Sequence, residues 1–413
     1  MLLGSGSAIA QIIAIGALPI ITRIYSPAEI GILSVFISML GILSVASCLG
    51  YEPAFSVAKS EKEAINLFVL AFIGLVLFTS LFTLLLLFFG DGLLSLINAT
   101  ELSPYLWLLV VGLFGIGNYT LFNFWAVRER NYRGITETKV AQSGVGAFTK
   151  ITLGIIGLGA SGLIAGQILS QFAGVVTLYR TSFHKRLDRF KAVDWPGFKN
   201  VLGKYRSFPI FNLPASIMDA LAVGLPVILI LAIFDATAAG QYGLATSVIG
   251  LPFGFIASSI AQPYLGEASK LIREGSPELR NLYISLTKKL MLYSIPLVLP
   301  ISILGPFLFP FIFGEAWYMA GLLCIPLALR VIPGFVISPT SYGLSIYGFN
   351  HWLMGWAFLR LVFMVGGFYI SYLLSFTLFQ TVTVFSIVMF ITYLIMGLMN
   401  LIAINRCIDN YQV

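Results

Sequence analysis

The chain has 413 residues, 58% of them hydrophobic and 10% charged, with a mean hydropathy of +0.95 and a formal net charge of +7. Soluble domains carry about 25% charged residues, so this composition cannot clothe a water-soluble surface. Three scattered cysteines, Cys48, Cys324 and Cys407, and two histidines, His184 and His351, rule out a metal cluster, a redox pair or a histidine proton relay.

Hydropathy and turn residues predict twelve membrane-spanning helices at 5–25, 30–52, 64–89, 104–127, 140–158, 161–180, 208–233, 240–263, 290–308, 321–347, 351–373 and 378–404. The first begins almost at Met1 and runs on into further spans, so it does not read as a cleavable signal peptide. The longest polar segment, Arg180 to Arg206, reads as a loop. The expected fold is therefore an all-α polytopic membrane protein, with function seated inside the bilayer.

Charge tests this map. Twenty of the 24 Lys and Arg residues fall in alternate connections, while the others carry Glu29, Asp91, Glu101, Asp235 and Glu315 and no Lys or Arg. Such asymmetry follows the positive-inside rule and predicts cytoplasmic termini. The basic 181–206 linker then lies in the cytoplasm between two six-helix bundles, 1–180 and 207–413. Its cations suit solvent and anionic membrane lipids, and no nucleic-acid site is expected.

The two halves echo each other. Pro19 and Pro226 are 207 residues apart, Gly31 and Gly240 are 209 apart, and Pro53 and Pro263 are 210 apart. Parallel repeats of this kind belong to transporters whose site lies between the halves. Pro226, Pro252, Pro296, Pro300, Pro326, Pro333 and Pro339 interrupt the later spans, and each frees a backbone carbonyl that protein or a wet cavity must satisfy.

Four charges, Lys150, Asp219, Arg330 and Arg360, fall well inside predicted spans. Facing lipid at the centre would cost each about 2.5 to 3.5 kcal/mol, so an inward orientation is expected. On the fifth helix, Ser143, Ala147, Lys150, Gly154 and Gly157 share a face of small residues, and on the seventh Asn212, Ser216 and Asp219 do the same. Ser7, Gln11, Asn118, Gln167, Ser170, Gln171 and Gly174 on neighbouring helices point to one polar cavity. Three cations against one acid make it suited to an anionic substrate. A structural reading stands beside this one: Asp219 neutralises Lys150 or an arginine, and Arg360 stacks on Trp356. Arg23, at the outer end of the first helix, reads by position as snorkelling to the interface. Trp107, Trp125 and Trp352 read as interface anchors. The sequons at Asn98 and Asn118 carry little weight, the second lying inside a span.

The segment GALPIITRIYSPAEIGILSVFISMLGILSVASCLGYEPAFSVAKSEKEA, Gly16 to Ala64, resembles the opening of bacterial Wzx-type polysaccharide flippases of the multidrug/oligosaccharidyl-lipid/polysaccharide exporter superfamily. YRSFPIFNLPASIMDALAVGLP, Tyr205 to Pro226, with Gly240, Pro252 and Gln262 beyond it, resembles the start of that family's second half, and FIFGEAWYMAG, Phe311 to Gly321, its ninth-to-tenth helix loop. The resemblance implies a bacterial inner-membrane protein with a cationic cleft. That cleft takes the diphosphate-sugar head of an undecaprenyl-linked oligosaccharide while the lipid tail stays in the bilayer. It also implies a cleft-facing Arg23, no cofactor, and the polysaccharide polymerase machinery as a further partner. Lys150, Asp219, Arg330 and Arg360, with the polar residues Gln11, Asn118, Gln167 and Asn212, rest on the residue argument alone. One departure is the missing basic stretch before the first helix, as expected of a shortened start.

Competing functions leave different marks. A drug/cation antiporter of the same superfamily wants a more acidic cleft, and a major-facilitator transporter wants a Gly/Asp/Arg-rich second-to-third loop where this chain has YEPAFSVAKSEKEA. A membrane glycan polymerase usually needs a large outer loop with reactive groups, whereas the longest here, Gly90 to Ser103, offers Asp91 and Glu101. No catalytic pair emerges.

Overall fold

The computed structural model describes residues 2–96, 99–184, 193–274, 276–341 and 343–411. Lys185, Arg186, Arg189 and Lys191 of the predicted linker, Asn98 of the first sequon, and the side chains of Pro252 and Gln262 lie outside the described residues. Every regular element among the described residues is helical: α1 (Leu2–Ile24), α2 (Pro27–Ser47), α3 (Glu61–Leu96), α4 (Leu106–Arg128), α5 (Tyr132–Ile155), α6 (Gly159–Leu178), α7 (Trp195–Lys204), α8 (Leu213–Ile233), α9 (Ala236–Arg273), α10 (Glu278–Phe313), α11 (Tyr318–Ser341), α12 (Gly343–Ile346), α13 (Asn350–Leu373) and α14 (Leu378–Tyr411).

Helices overlap all twelve predicted segments, and among the described residues ten are long and apolar enough to cross a membrane. This is a multi-pass membrane protein. α5 and α9 fall outside the ten, α5 because Thr, Lys, Gln and Ser recur along it. Several helices outrun their predicted limits. α3 has 36 residues, about 54 Å at 1.5 Å per residue, against about 30 Å of hydrocarbon. Hydropathy marks only the apolar middle of such a helix, while its polar ends continue the same hydrogen bonding.

Local chemistry sets the boundaries. Ser26 and Glu29 form a reciprocal capping box at the start of α2, with Pro27 in the first turn, where its missing N–H costs nothing. Asn131 caps α5 through the Gly134 N–H at 3.0 Å, and Asp235 caps α9 through that of Ala238 at 2.7 Å. α2 was expected to run to residue 52 but ends at Ser47, because Leu49 and Gly50 take φ of 57° and 71° and reverse the chain into a 3-10 turn, Glu52–Ser56.

Contacts divide the chain into two compact units, Met1–Gly240 and Gln241–Val413. In the first, α5 packs on α1 and α6, α4 on α6 and α3, and α8 on α2. In the second, α11 lies between α10 and α14, and α13 packs on α14.

Two expectations need correction. The 180–206 segment is not all loop: Asp194 caps the ten-residue α7, whose Val201 is fully buried where the helix packs on α3. Lys62 pairs with Asp194 at 2.8 Å and Lys204 with Glu63 at 2.6 Å, ties between segments far apart in sequence that no local pattern announces. Trp125 is not an interface anchor. It is 1% exposed, packed edge-on to Phe55, Phe68 and Phe183 in a cluster that ties the ends of α3 and α4 to the π-helical turn Tyr179–Phe183. Trp107, by contrast, is exposed.

Candidate functional site

In the first unit the polar groups gather where α1, α5 and α6 meet. The Lys150 ammonium on α5 donates to the Gln167 side-chain oxygen on α6 at 2.9 Å, and the Tyr25 hydroxyl donates to the Lys150 carbonyl at 2.7 Å. Small residues make this possible. A Cβ on Gly166 would stand 2.5 Å from the Lys150 Cγ, and one on Gly154 2.7 Å from the Tyr25 ring. One turn along α6 and about two along α5, Gln142 donates to Gln171 at 3.3 Å, and the Ser170 hydroxyl donates to the Gln142 carbonyl at 2.9 Å. Nearer the start of α1, Lys139 donates to Ser7 at 3.1 Å. Among the described residues Lys150 meets a neutral amide and no carboxylate within ion-pair distance.

Of the other expected residues in this unit, Gln11 is half-buried on α1 and Arg23 is exposed at its end. Asn118 is buried on α4 and turns its amide back to the Phe114 carbonyl at 2.8 Å, within its own helix. Asn212, Ser216 and Asp219 are all exposed, Asn212 in the π-helical turn Phe208–Asn212 and the other two on α8.

In the second unit the two arginines have separate aromatic partners. Arg330 on α11 donates to the Tyr242 hydroxyl at 3.2 Å and lies 5.2 Å from the centroid of Phe385. Arg360 on α13 is buried 4.5 Å over the ring of Trp356, whose indole N–H donates to the Thr392 carbonyl at 2.7 Å. Gln241 braces the start of this unit, donating to the Ala316 carbonyl at 2.7 Å and accepting from the Ala320 N–H at 2.8 Å. The structure thus joins Lys150 to Gln167, both expected, and stacks Arg360 on Trp356. Tyr25, Gln241, Tyr242 and Phe385 were not expected. Tyr25 and the Gln241–Tyr242 pair stand near helix ends, where a tyrosine reads as an interface residue, and Phe385 is one of 34 phenylalanines.

A family model described as polysaccharide biosynthesis protein matches residues 20–321. The chain belongs to the polysaccharide biosynthesis protein family. A protein of similar sequence is the teichuronic acid biosynthesis protein TuaB of Bacillus subtilis (strain 168), 26% identical over 184 residues, which cover 43% of this chain and 36% of that relative. The alignment thus spans little more than a third of TuaB. Two solved structures share the fold. An inward-facing multidrug resistance MATE family transporter of the MOP superfamily superposes with a TM-score of 0.72 at 16% identity, over 96% of this chain and 95% of that one. The lipid II flippase MurJ in an inward closed conformation gives 0.69 at 13% identity, over 98% and 86%. The family model bears out the polysaccharide side of the resemblance read from Gly16–Ala64, and the fold is one that both of these solved structures share.

Proposed function

We propose that this chain flips undecaprenyl-diphosphate-linked oligosaccharide repeat units across the bacterial inner membrane by alternating access, with no covalent step of its own. The observation that carries the reading is Lys150, a cation deep in a helix bundle whose ammonium meets the neutral Gln167 amide rather than an acid. An ammonium kept away from water needs a counter-charge, and a diphosphate supplies one. Membership of a polysaccharide biosynthesis family, and the fold shared with a protein named for lipid II, support a lipid-linked anionic cargo.

In this reading twelve spans form two six-helix bundles, 1–180 and 207–413, with the linker and both termini cytoplasmic. Arg23 and Arg330 join Lys150 in drawing in the head group, with Arg360 behind them, and Gln11, Asn118, Gln167 and Asn212 offer hydrogen bonds to sugars. Asp219, a carboxylate on the exposed side of an apolar helix, gates the cleft or holds a coupling cation. A distributed set of cations suits a carrier, which must release its cargo as well as capture it.

The test is surface polysaccharide in cells lacking the native protein and supplied with variants. Lys150→Ala should abolish the polysaccharide while the protein still accumulates in the membrane, and Lys150→Arg should retain part of it. Normal polysaccharide after neutralising each of the four cations in turn would sink the cationic-cleft mechanism. Loss of protein rather than of polysaccharide would make Lys150 structural.

A further inference from the structure

Both ends of α7 are tied to the same turn of α3. Asp194, which caps the N-terminus of α7, pairs with Lys62 at 2.8 Å, while Lys204 at its last turn pairs with Glu63 at 2.6 Å, and Tyr205 donates to Glu63 at 3.0 Å. A ten-residue helix is about 15 Å long. Had α7 lain along α3, its two ends would have met residues about ten positions apart. Instead they meet adjacent residues, so α7 lies across the start of α3, where a candidate span opens at Glu61. A helix crossing the mouth of a membrane span runs in the plane of the bilayer boundary.

Its two sides differ. Asp194, Phe198, Val201 and Tyr205 turn toward α3 and the aromatic cluster. The neighbouring stripe, at spacings of four and three, is Trp195, Lys199 and Leu202, with Arg206 following. Trp195 is 68% exposed and Leu202 47% exposed, and both cations are exposed. Trp195 lies flat on Phe198, with centroids 5.6 Å apart and an interplanar angle of 8°, and Lys199 reaches to 5.9 Å from its ring. Exposed Ile210 and Phe211 come next.

We propose that this stripe docks on the anionic phospholipid surface of the leaflet at which α3 begins, Trp195 and Leu202 entering the acyl boundary while Lys199 and Arg206 bind phosphates. Indole and aliphatic groups alternating with long cationic side chains match that boundary, because the stems lie in the apolar layer while the heads reach the phosphates. Charge complementarity selects the occupant: residues 180–206 hold eight Lys and Arg against Asp188 and Asp194. A soluble protein groove would not call for that excess. The proposal is independent of the cargo.

The test uses the full chain in vesicles of phosphatidylcholine alone or mixed equally with phosphatidylglycerol. Subtracting the fluorescence of Trp195→Phe from that of wild type isolates Trp195. In the mixed vesicles its emission should be quenched by lipids brominated high on the acyl chain and shielded from aqueous acrylamide. Acrylamide quenching should rise about two-fold or more in phosphatidylcholine alone, and a Lys199→Gln, Arg206→Gln double variant should erase the difference between the two lipids. Hydroxyl-radical footprinting of wild-type Trp195 in the two vesicles gives the same answer without any variant. Full acrylamide access and no bromolipid quenching in both would overturn the proposal and make the stripe a surface for a soluble partner.

Discussion

Gly31 and Gly240 meet backbone to backbone, at a contact that leaves room for a Cβ on neither. A Cβ on Gly31 would run into the Ala236 carbonyl and lie 2.9 Å from the Gly240 nitrogen, and one on Gly240 would run into the Pro27 carbonyl, 2.9 Å from the Gly31 nitrogen. The contact is reciprocal, first turn of α2 against first turn of α9, each helix capped by the residue before it, Ser26 or Asp235. The residues whose spacing of 209 hints at a repeat are therefore the residues that touch.

Because a backbone carbonyl cannot rotate aside, alanine at either glycine must push the helix starts apart. Gly31→Ala and Gly240→Ala should each lower stability by about 1–3 kcal/mol, read from thermal melts in detergent. Once the first substitution has separated the helices the second has less left to disturb. The double variant should therefore cost less than the sum, by on the order of 1 kcal/mol. Additive costs would mean that the two glycines do not share one contact.

The arginines of the second unit should separate by role. Arg360→Lys keeps a charge but loses the flat stack on Trp356, so thermal stability should fall by about 0.5–2 kcal/mol while the polysaccharide made per molecule of protein stays near wild type. Tyr242→Phe removes the hydroxyl that accepts from Arg330 and frees that guanidinium to move. Surface polysaccharide should then fall more than protein level does. Equal effects of both variants on level and product would leave no distinction between them.

Much of this was legible in the sequence. Helices overlap all twelve predicted segments, ten of them among the described residues as long apolar runs, and placing polar residues on faces of neighbouring helices named both Lys150 and Gln167 without pairing them. α7 was hidden because only half its surface meets protein, so its composition reads as a loop, and the ion pairs that hold it join residues more than 130 positions apart. Trp125 misled because a tryptophan near a span's end has two homes, the lipid boundary and an aromatic cluster, and only the fold decides which. Arg128 is another such case. Sequence assigns it to the positive-inside count, whereas the structure turns it onto the α2–α3 connection.

Arg128 donates to the carbonyls of Phe55, Ala58 at 3.0 Å and Ser60 at 3.3 Å, pinning the α2–α3 connection to the end of α4. Arg128→Lys keeps the charge but cannot span three acceptors in one plane. It should cost about 1.5–3 kcal/mol, and Arg128→Gln at least as much. Hydrogen exchange at the Val57 and Ala58 amides, which bond within this turn, should rise in both variants while that of α6 stays unchanged. Unchanged protection in the turn would show that the three bonds are not what holds it.

The same turn carries the clearest pH dependence outside the spans. Glu52 opens the 3-10 turn with its side chain 5% exposed, and one of its carboxylate oxygens is buried without a hydrogen-bond partner among the described residues. Burial pushes its carboxyl from the usual 4.5 up to about 7, opposed in part by a hydrogen bond from its own backbone. The raised value means that the folded protein holds this proton more tightly than the unfolded chain does. Stability from this group is therefore greatest below pH 4.5 and is lost as pH rises toward 7, in total on the order of 3 kcal/mol. Glu52→Gln keeps the shape of the neutral carboxyl and removes the titration. Its melting temperature should be nearly flat over that window where the wild type's declines, after allowance for groups common to both. The variant should also be the more stable of the two above pH 7. Parallel curves for the two proteins would mean that Glu52 is ionised in the folded state and finds its counter-charge there.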